Sequence, residues 1–476
     1  MRCAMYAFII ITIPIVAMAD TIVVPDDYGK IQEAIDAAEN GDTVLVAPGT
    51  YIENINFLGK AITVKSSDGS EVTIIDGSSP SNPDIGSVVR FVNNEQPDSV
   101  LDGFTLRNGA GSTTSGPYPW SVGGGIWCNA SSPTIKNNTI TGNDIGRHPS
   151  AAAAGGGIYC QQGSPTIISN NITENTVTHD LWLGGGGIWC EYSPATIESN
   201  HFSDNVCYCG DTGQGGGGGI GCKGAPPMIR YNDFFNNAAD GKEAYGGGIL
   251  VYYSSPYIMN NTFSGNSAKA GGGIAVGFEP SSPIILNNFF YGNYGSFSGG
   301  GLNCCSGATP LMVNNTFVGN SAGVQGGGVT ARYDATFTII NSIIWNNDAP
   351  TAPQISLYWP TVPSTCCISH SDVEGGLGVI HIEPGYTLNW AAGMIDSEPL
   401  FLDPFDDDYH LTYASPCIDA GDNYAPSLPA TDFEGDPRIF PGNGKGYLIG
   451  APPQPPIVDM GADEYCLLKR QQVILK

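Results

Sequence analysis

The stretch GGGIWCEYSPATIESNHFSDN, residues 185–205, carries the pattern that decides the fold. Three glycines lead into an aliphatic residue, Ile188. An asparagine follows at Asn200, an apolar residue at Phe202 and a second asparagine at Asn205. The phrase recurs eight times. Its aliphatic residues are Ile126, Ile158, Ile188, Ile220, Ile249, Ile274, Leu302 and Val329, spaced 25 to 32 residues apart. The first asparagines, 12 to 14 residues on, are Asn138, Asn170, Asn200, Asn232, Asn261, Asn288, Asn315 and Asn341. The second, five further on, are Asn143, Asn175, Asn205, Asn237, Asn266, Asn293, Asn320 and Asn346.

A phrase of this length repeated at this period predicts a solenoid, one turn of short strands per repeat, with equivalent residues stacked at the ~4.8 Å spacing of paired strands. Helical repeats are excluded by the glycines, the β-branched residues and the period of two: in Ile126-Trp127-Cys128 the outer two side chains face one way and the middle one the other. Stacked Ile and Phe would fill the core. Stacked Asn amides would hydrogen-bond along the axis, a structural role.

Outward from the repeats, Ile31, Ala34, Ile35 and Ala38 follow a helical spacing, with Asp26 or Asp27 as the expected cap and Gly41 as the stop. This helix would plug the open end. Strands are expected over 43–46, 61–64, 88–92 and 100–106. Residues 1–19 have the basic start, apolar run and Ala17-Met18-Ala19 site of a signal peptide cleaved near Ala19, which predicts a secreted protein. The solenoid with its N-terminal cap is assigned to 20–347, regular over 123–347. The spacing is lost after Asn347, so 348–476 hold the last coils and a C-terminal cap region.

Composition narrows the functional classes. Of 476 residues 65 are Gly and only 13% are charged, against an ordinary ~25%. With 45 acidic against 18 basic residues the formal charge is −27, which opposes binding to nucleic acid or anionic lipid. No stretch after the signal approaches the ~20 apolar residues of a membrane span, and a monomer is expected. Twenty-four of the glycines fall in the triplets, so the excess marks defined positions rather than flexibility.

These repeats resemble the right-handed parallel β-helix of the pectin lyase-like superfamily. The resemblance implies an all-β, single-stranded solenoid with the Gly-Gly-Gly-aliphatic segment as the first strand of each coil. It also implies that the outer face of that strand, with the loops preceding it, is where the superfamily's enzymes act. Pro399-Leu-Phe-Leu-Asp-Pro404, Asp408-Tyr-His-Leu411, Ser415-Pro-Cys-Ile-Asp-Ala-Gly-Asp422 and Val458-Asp-Met-Gly-Ala-Asp-Glu-Tyr465 resemble the C-terminal region of choice-of-anchor β-helix proteins, where it serves mainly as a cap.

Cys128, Cys160, Cys190, Cys222 and Cys304 share one inward position. Cβ atoms one strand apart lie near ~4.8 Å, too far for the ~3.8 Å of a disulfide, so a thiol stack is favoured. Cys417 with Cys466 is the better candidate bridge, although pairing is not legible in a sequence. His201, Cys207, Cys209 and Cys222 lack paired zinc-ligand spacing, and no metal site is assigned.

Chemistry is expected on the first four coils. The loops leading to the next triplet have 11, 9, 11 and 8 residues there and only 4 or 5 later. They carry Arg147, His148, His179, Asp180, Asp211, Asp240, Lys242 and Glu243. Trp127, Tyr159 and Trp189 would form an aromatic ladder, either open to sugar rings or buried under the loops as a satellite core. Two positions on come Asn129, Gln161, Glu191, Lys223, Tyr252 and, later, Arg332. A second ion pair, Glu198 with Arg230, is expected on another face. A polysaccharide lyase needs a base and a cation, or Ca²⁺, beside a uronate; Lys223 with Glu191, or Arg332 with Tyr252, are the candidates. No close carboxylate pair for hydrolysis is seen. The expected function is binding of an extracellular polysaccharide or cell-surface glycan, with cleavage by β-elimination as a further step. The competing expectation is a noncatalytic adhesion or structural solenoid, because fold alone does not decide function.

Overall fold

Ile126–Asn129, Thr134–Lys136 and Thr139–Thr141 form one coil, and Ile158–Gln161, Thr166–Ile168 and Asn171–Thr173 the next. Equivalent strands pair in parallel and in register, Ile126 with Ile158, Ile135 with Ile167 and Ile140 with Ile172. The result is an all-β right-handed parallel β-helix whose first, second and third strands make sheets of 12, 14 and 12 strands. The computed structural model describes residues 19–115, 119–146, 152–179, 182–210, 213–277, 280–439 and 456–465; the signal segment therefore lies outside the described residues up to residue 18.

The core is a set of stacks. Phe202, Phe234, Phe263, Phe290 and Phe317 lie with centroids 4.8, 4.7, 4.7 and 4.4 Å apart and rings within 6° of parallel. Such contacts add to the burial of five rings that are all but fully enclosed. Cys128, Cys160, Cys190 and Cys222 are consecutive in register and buried, and each is a thiol.

The asparagine ladders saturate the turns. Asn170 donates from its backbone N and from Nδ2 to Asn200 Oδ1, at 2.9 and 3.0 Å, and from Nδ2 to the carbonyl of Ile135 one coil back, at 2.9 Å. Each amide thus joins three coils, and among the described residues no ladder asparagine has a buried side-chain atom without a partner. In the last repeat the register differs from the expectation by one residue. Asn315 N donates to Ser342 Oγ and Asn320 N to Asn347 Oδ1, so Ser342 and Asn347, not Asn341 and Asn346, are the rungs. Asn341 has positive φ, like Asn260, Asn287 and Asn314 before it, and these four occupy the turn residue preceding the rung.

The glycine triplets permit close approach. A Cβ on Gly155, which has φ +69°, would lie 2.3 Å from the Ile158 carbonyl oxygen, and one on Gly156 would lie 2.5 Å from the Gly186 carbonyl oxygen of the next coil. Side chains are excluded at both positions.

At the N-terminus the helix spans Ile31–Ala37 and buries Ile31, Ala34 and Ile35. Its cap is neither Asp26 nor Asp27. Glu53, from the following coil, accepts hydrogen bonds from Ile31 N and Gln32 N at 2.9 and 3.0 Å, while Asp27 Oδ2 accepts one from Val23 N. A carboxylate at this end also suits the helix dipole. The expected strand over 100–106 is two, Val100–Asp102 and Thr105–Arg107, separated at Gly103 with φ +81°.

Coils continue through Ile355–Tyr358 and Ser364–Ser369 to Tyr386–Trp390. The irregular C-terminal region then packs along the flank of the solenoid. Asn260 Nδ2 donates to the Asp432 carbonyl, Asn287 Nδ2 to Thr431, Asn314 Nδ2 to Asp459 and Gly461, and Asn341 Nδ2 to Asp422. Phe433 meets Phe289 edge-on at 4.9 Å. Arg438, fully buried, reaches Asn287 Oδ1 at 2.7 Å and Glu464 at 3.3 Å. The region is a strap lying across the asparagine turns of four coils.

Candidate functional site

The outer face of the first-strand sheet is divided between two rows, one directly after the aliphatic residue and one two positions later. In the first row Trp127, Tyr159 and Trp189 stack in register. They do not form an open platform: Tyr159 is 0% and Trp189 2% exposed, and both pack with Trp127 and Trp120 beneath Val122, Ala152 and Ala154. The loops expected to wall a groove fold instead as stacked strands. Asp144–Ile145, Thr176–His179, Val206–Cys209 and Ala238–Asp240 pair in parallel, coil upon coil, and Trp182–Gly184, Gln214–Gly216 and Glu243–Tyr245 return beside them. Beyond Trp189 the row carries Gly221, on which the Trp189 ring rests; a Cβ there would lie 2.2 Å from it.

The second row contains the expected ion pair. Glu191 is buried and accepts hydrogen bonds from Lys223 Nζ at 2.9 Å and from Tyr159 OH at 2.8 Å. Burial and the Glu191 charge push the Tyr159 phenol far above its ordinary value, so it stays a donor. Lys223 is half-buried, with its ammonium 5.9 Å from the centre of the Trp120 ring. Tyr252 follows Lys223 in register on the next coil. Among the described residues of this face Glu191 is the one carboxylate. Glu198 and Arg230 also pair, at 2.8 Å, on the second-strand sheet.

Arg332 and Tyr252 do not act together. Three coils separate their strands, about 14 Å at ~4.8 Å per coil. Arg332 is 4% exposed and lies between the rings of Tyr245 and Tyr333, at 5.6 and 5.5 Å. Its Nε and the Nδ2 of nearby Asn303 are buried without a partner. Burial opposes its charge, yet neighbouring Tyr358, Cys305 and Tyr245 outweigh that effect.

Of the expected loop residues, Lys242 and Asp240 are exposed, and Glu243 pairs with Lys269 at 2.6 Å. Arg147, His148, Asp180 and Asp211 lie outside the described residues, as do the side chain of His179 and Cys466. Four residues after the aliphatic position stands a row that the sequence reading passed over. Tyr192, Tyr253, Tyr333 and Trp359 occupy the turn closing the first strand, with φ of 51°, 49°, 50° and 55°, and are 54%, 41%, 41% and 43% exposed. Large aromatics are unusual in left-handed backbone, where Asn and Gly are the ordinary occupants. Phe278 has the same offset in sequence and lies outside the described residues. The row spans six coil steps, about 29 Å at ~4.8 Å each, and runs alongside Lys223, Tyr252 and Arg332.

A family model described as a right handed beta helix region matches residues 44–255 and 242–356. Among curated proteins no match is found. Among solved structures the chain is similar to the Azotobacter vinelandii mannuronan C-5 epimerase AlgE6 A-module, at 14% identity and TM-score 0.42 over 78% of this chain and 94% of that one. It is similar to the PL6 family alginate lyase AlyGC at 12% identity and TM-score 0.38, over 87% of this chain and 60% of that one. A third likeness is to the catalytic domain of a GH87 α-1,3-glucanase, at 11% identity and TM-score 0.35 over 79% and 69%.

Proposed function

We propose that this chain, which belongs to the right-handed β-helix family, is a secreted protein that binds an extracellular polysaccharide along the turn following its first strands. The observation that carries the reading is the row of exposed Tyr192, Tyr253, Tyr333 and Trp359. Exposed rings repeated along one line suit the apolar faces of successive sugar rings, and their cost in left-handed backbone is one that a functional site sustains. The buried Tyr159 and Trp189, with Trp127 half-buried beside them, hold the neighbouring sheet in place and offer no open platform.

Cleavage by β-elimination is a second reading, favoured by the in-register run Glu191, Lys223, Tyr252 on consecutive coils. The Lys223 ammonium, anchored by Glu191, would neutralise a uronate carboxylate, and the Tyr252 phenol would stand one coil away to exchange a proton. Hydrolysis finds no support, because Glu191 has no second carboxylate on this face among the described residues.

Affinity electrophoresis on gels containing alginate, pectate, neutral β-glucan or chitin tests the binding reading. Retention on at least one glycan is expected, with a loss of tenfold or more in the variant combining Tyr192→Ala, Tyr253→Ala, Tyr333→Ala and Trp359→Ala. No retention, or retention unchanged in that variant, overturns it. Ultraviolet absorbance of unsaturated product, followed with and without Ca²⁺, tests cleavage. Product formed by wild type and lost in Lys223→Ala supports it; no product removes it and leaves binding.

A further inference from the structure

The outer face of the first-strand sheet changes character after Tyr252. In the row two positions after the aliphatic residue, Gly277, Cys305, Arg332 and Tyr358 follow one another in register on consecutive coils. Asn303, two residues before Cys305, points to the same side, because side chains alternate along a strand. Arg332 Cζ lies 5.6 Å from the ring of Tyr245, whose strand leads into the coil of Ile249, three coils earlier. The arginine therefore runs back along the axis, over Cys305 and toward Gly277. Tyr358 leans the same way: its OH donates to Ser298 Oγ at 3.1 Å, and Ser298 Oγ donates to Asn303 Oδ1 at 3.2 Å. These polar side chains converge on the coil of Leu302. A Cβ on Gly277 would meet only Cys305 Sγ, at 3.2 Å, among the described residues, which leaves room on this face beside the guanidinium.

What the cluster lacks is a negative charge. Arg107, Lys223, Arg230, Lys269 and Arg438 each hold a carboxylate within 3.3 Å. Arg332 is 4% exposed and, among the described residues, has no carboxylate within ion-pair distance. The Cys305 thiol and the Tyr358 hydroxyl beside it are neutral, since burial pushes both up. Glu243, next to Tyr245, is taken by Lys269 and by the Tyr245 hydroxyl. Two donors are also left over: Arg332 Nε and Asn303 Nδ2 are buried without a partner. A buried donor without an acceptor is costly, and so is a buried cation without a counter-charge. A water molecule would satisfy the donors and leave the charge; a small anion satisfies both.

We infer that Arg332 Nε and Asn303 Nδ2, above Gly277 and Cys305, hold a small monovalent anion of halide size as the buried counter-charge of Arg332. A group carried on a sugar chain does not fit this place, because Asn303 is fully buried and Arg332 nearly so. The formal charge of −27 repels anions from the surface at large, so an anion kept by this chain reports a built site. The ion would join the coils of Leu302 and Val329. This inference is independent of glycan binding.

Thermal unfolding of the full chain is followed in sodium chloride, bromide and methanesulfonate at one ionic strength, the last anion being too large for the site. Chloride and bromide are expected to raise Tm by several degrees over methanesulfonate, with an effect that saturates, as binding to the folded state requires. Two variants remove the need for the ion. Arg332→Met deletes the charge, and Asn303→Asp sets a fixed carboxylate against it; each is expected to melt at the same temperature in every salt. The second variant decides the matter if the first does not fold. Crystals soaked in bromide should show an anomalous peak within hydrogen-bonding reach of Arg332 Nε and Asn303 Nδ2. A wild-type Tm that is equal in the three salts, or a soak without that peak, overturns the site and leaves water on the two donors. A chloride effect of unchanged size in either folded variant overturns it as well, marking an adventitious ion only.

Discussion

The ring of Tyr192 rests on Gly224, its equivalent one coil on: a Cβ built on that glycine would lie 2.3 Å from the ring. The missing side chain is therefore part of what holds Tyr192 flat along the aromatic row. Gly224 also has φ +87°, so Gly224→Ala is expected to cost about 1 kcal/mol in stability and to lower glycan retention by displacing the ring. Retention equal to wild type, measured on a variant that melts cooperatively, would separate Tyr192 from the binding row.

Asn232 makes its ladder bonds in both directions along the axis. Its Oδ1 accepts from Asn200 N and Nδ2, and its Nδ2 donates to the Ile197 carbonyl and to Asn261 Oδ1. Asn232→Ala strands several buried groups and is expected to cost about 3 kcal/mol or more in denaturant titrations. Asn232→Ser should cost less, because Ser342 already serves as a rung and accepts from Asn315 N at 3.2 Å. A serine variant as unstable as the alanine one would contradict this account.

The Glu191–Lys223 pair is asymmetric. Lys223 is 25% exposed and Glu191 only 3%, so a lysine deprived of its partner can turn to water and a glutamate cannot. Lys223→Ala is therefore expected to destabilise by about 2 kcal/mol and Glu191→Gln by about 1 kcal/mol. Thermal unfolding of the two variants checks the order, and the reverse order would show that the carboxylate is not the costly partner.

Asp372 gives the stability a pH dependence of known sign. Burial, reinforced by Asp396 and Glu374, pushes its carboxyl from 3.8 to about 6, against the bonds from Ser397 N and Cys417 Sγ. Between these values the folded chain keeps a proton that the unfolded chain releases. Its contribution is thus full below pH 3.8 and is lost as pH rises through about 6, amounting to about 3 kcal/mol. Asp372→Asn is expected to flatten the stability profile over that window; an unchanged slope would assign it to other groups.

The period, the ladders and the strand order were legible because a stacked fold writes each structural requirement once per coil. Where one coil meets its requirement differently, legibility fails: Ser342 replaces an asparagine, and the eye follows Asn341 instead. The Glu53 cap was hidden for another reason, since it comes from the next coil and no local spacing marks it. Trp127, Tyr159 and Trp189 are legible as a stack, but whether a stack is open or covered depends on the loops, whose strands pair coil upon coil although their lengths differ from one coil to the next. The exposed row at Tyr192, Tyr253, Tyr333 and Trp359 did have a signal, a fixed offset of four from the aliphatic residue.

The docking of the strap changes how the solenoid can come apart. A stack whose coils touch only their neighbours frays from an end, one turn at a time, and its melting broadens as it lengthens. Here Asp422, Thr431, Asp432, Asp459 and Gly461 are bonded to Asn341, Asn287, Asn260 and Asn314, so releasing the C-terminus removes partners from four turns at once. The C-terminal half is thereby made a single cooperative block, while the coils before Asn260 keep the graded stability of an open stack.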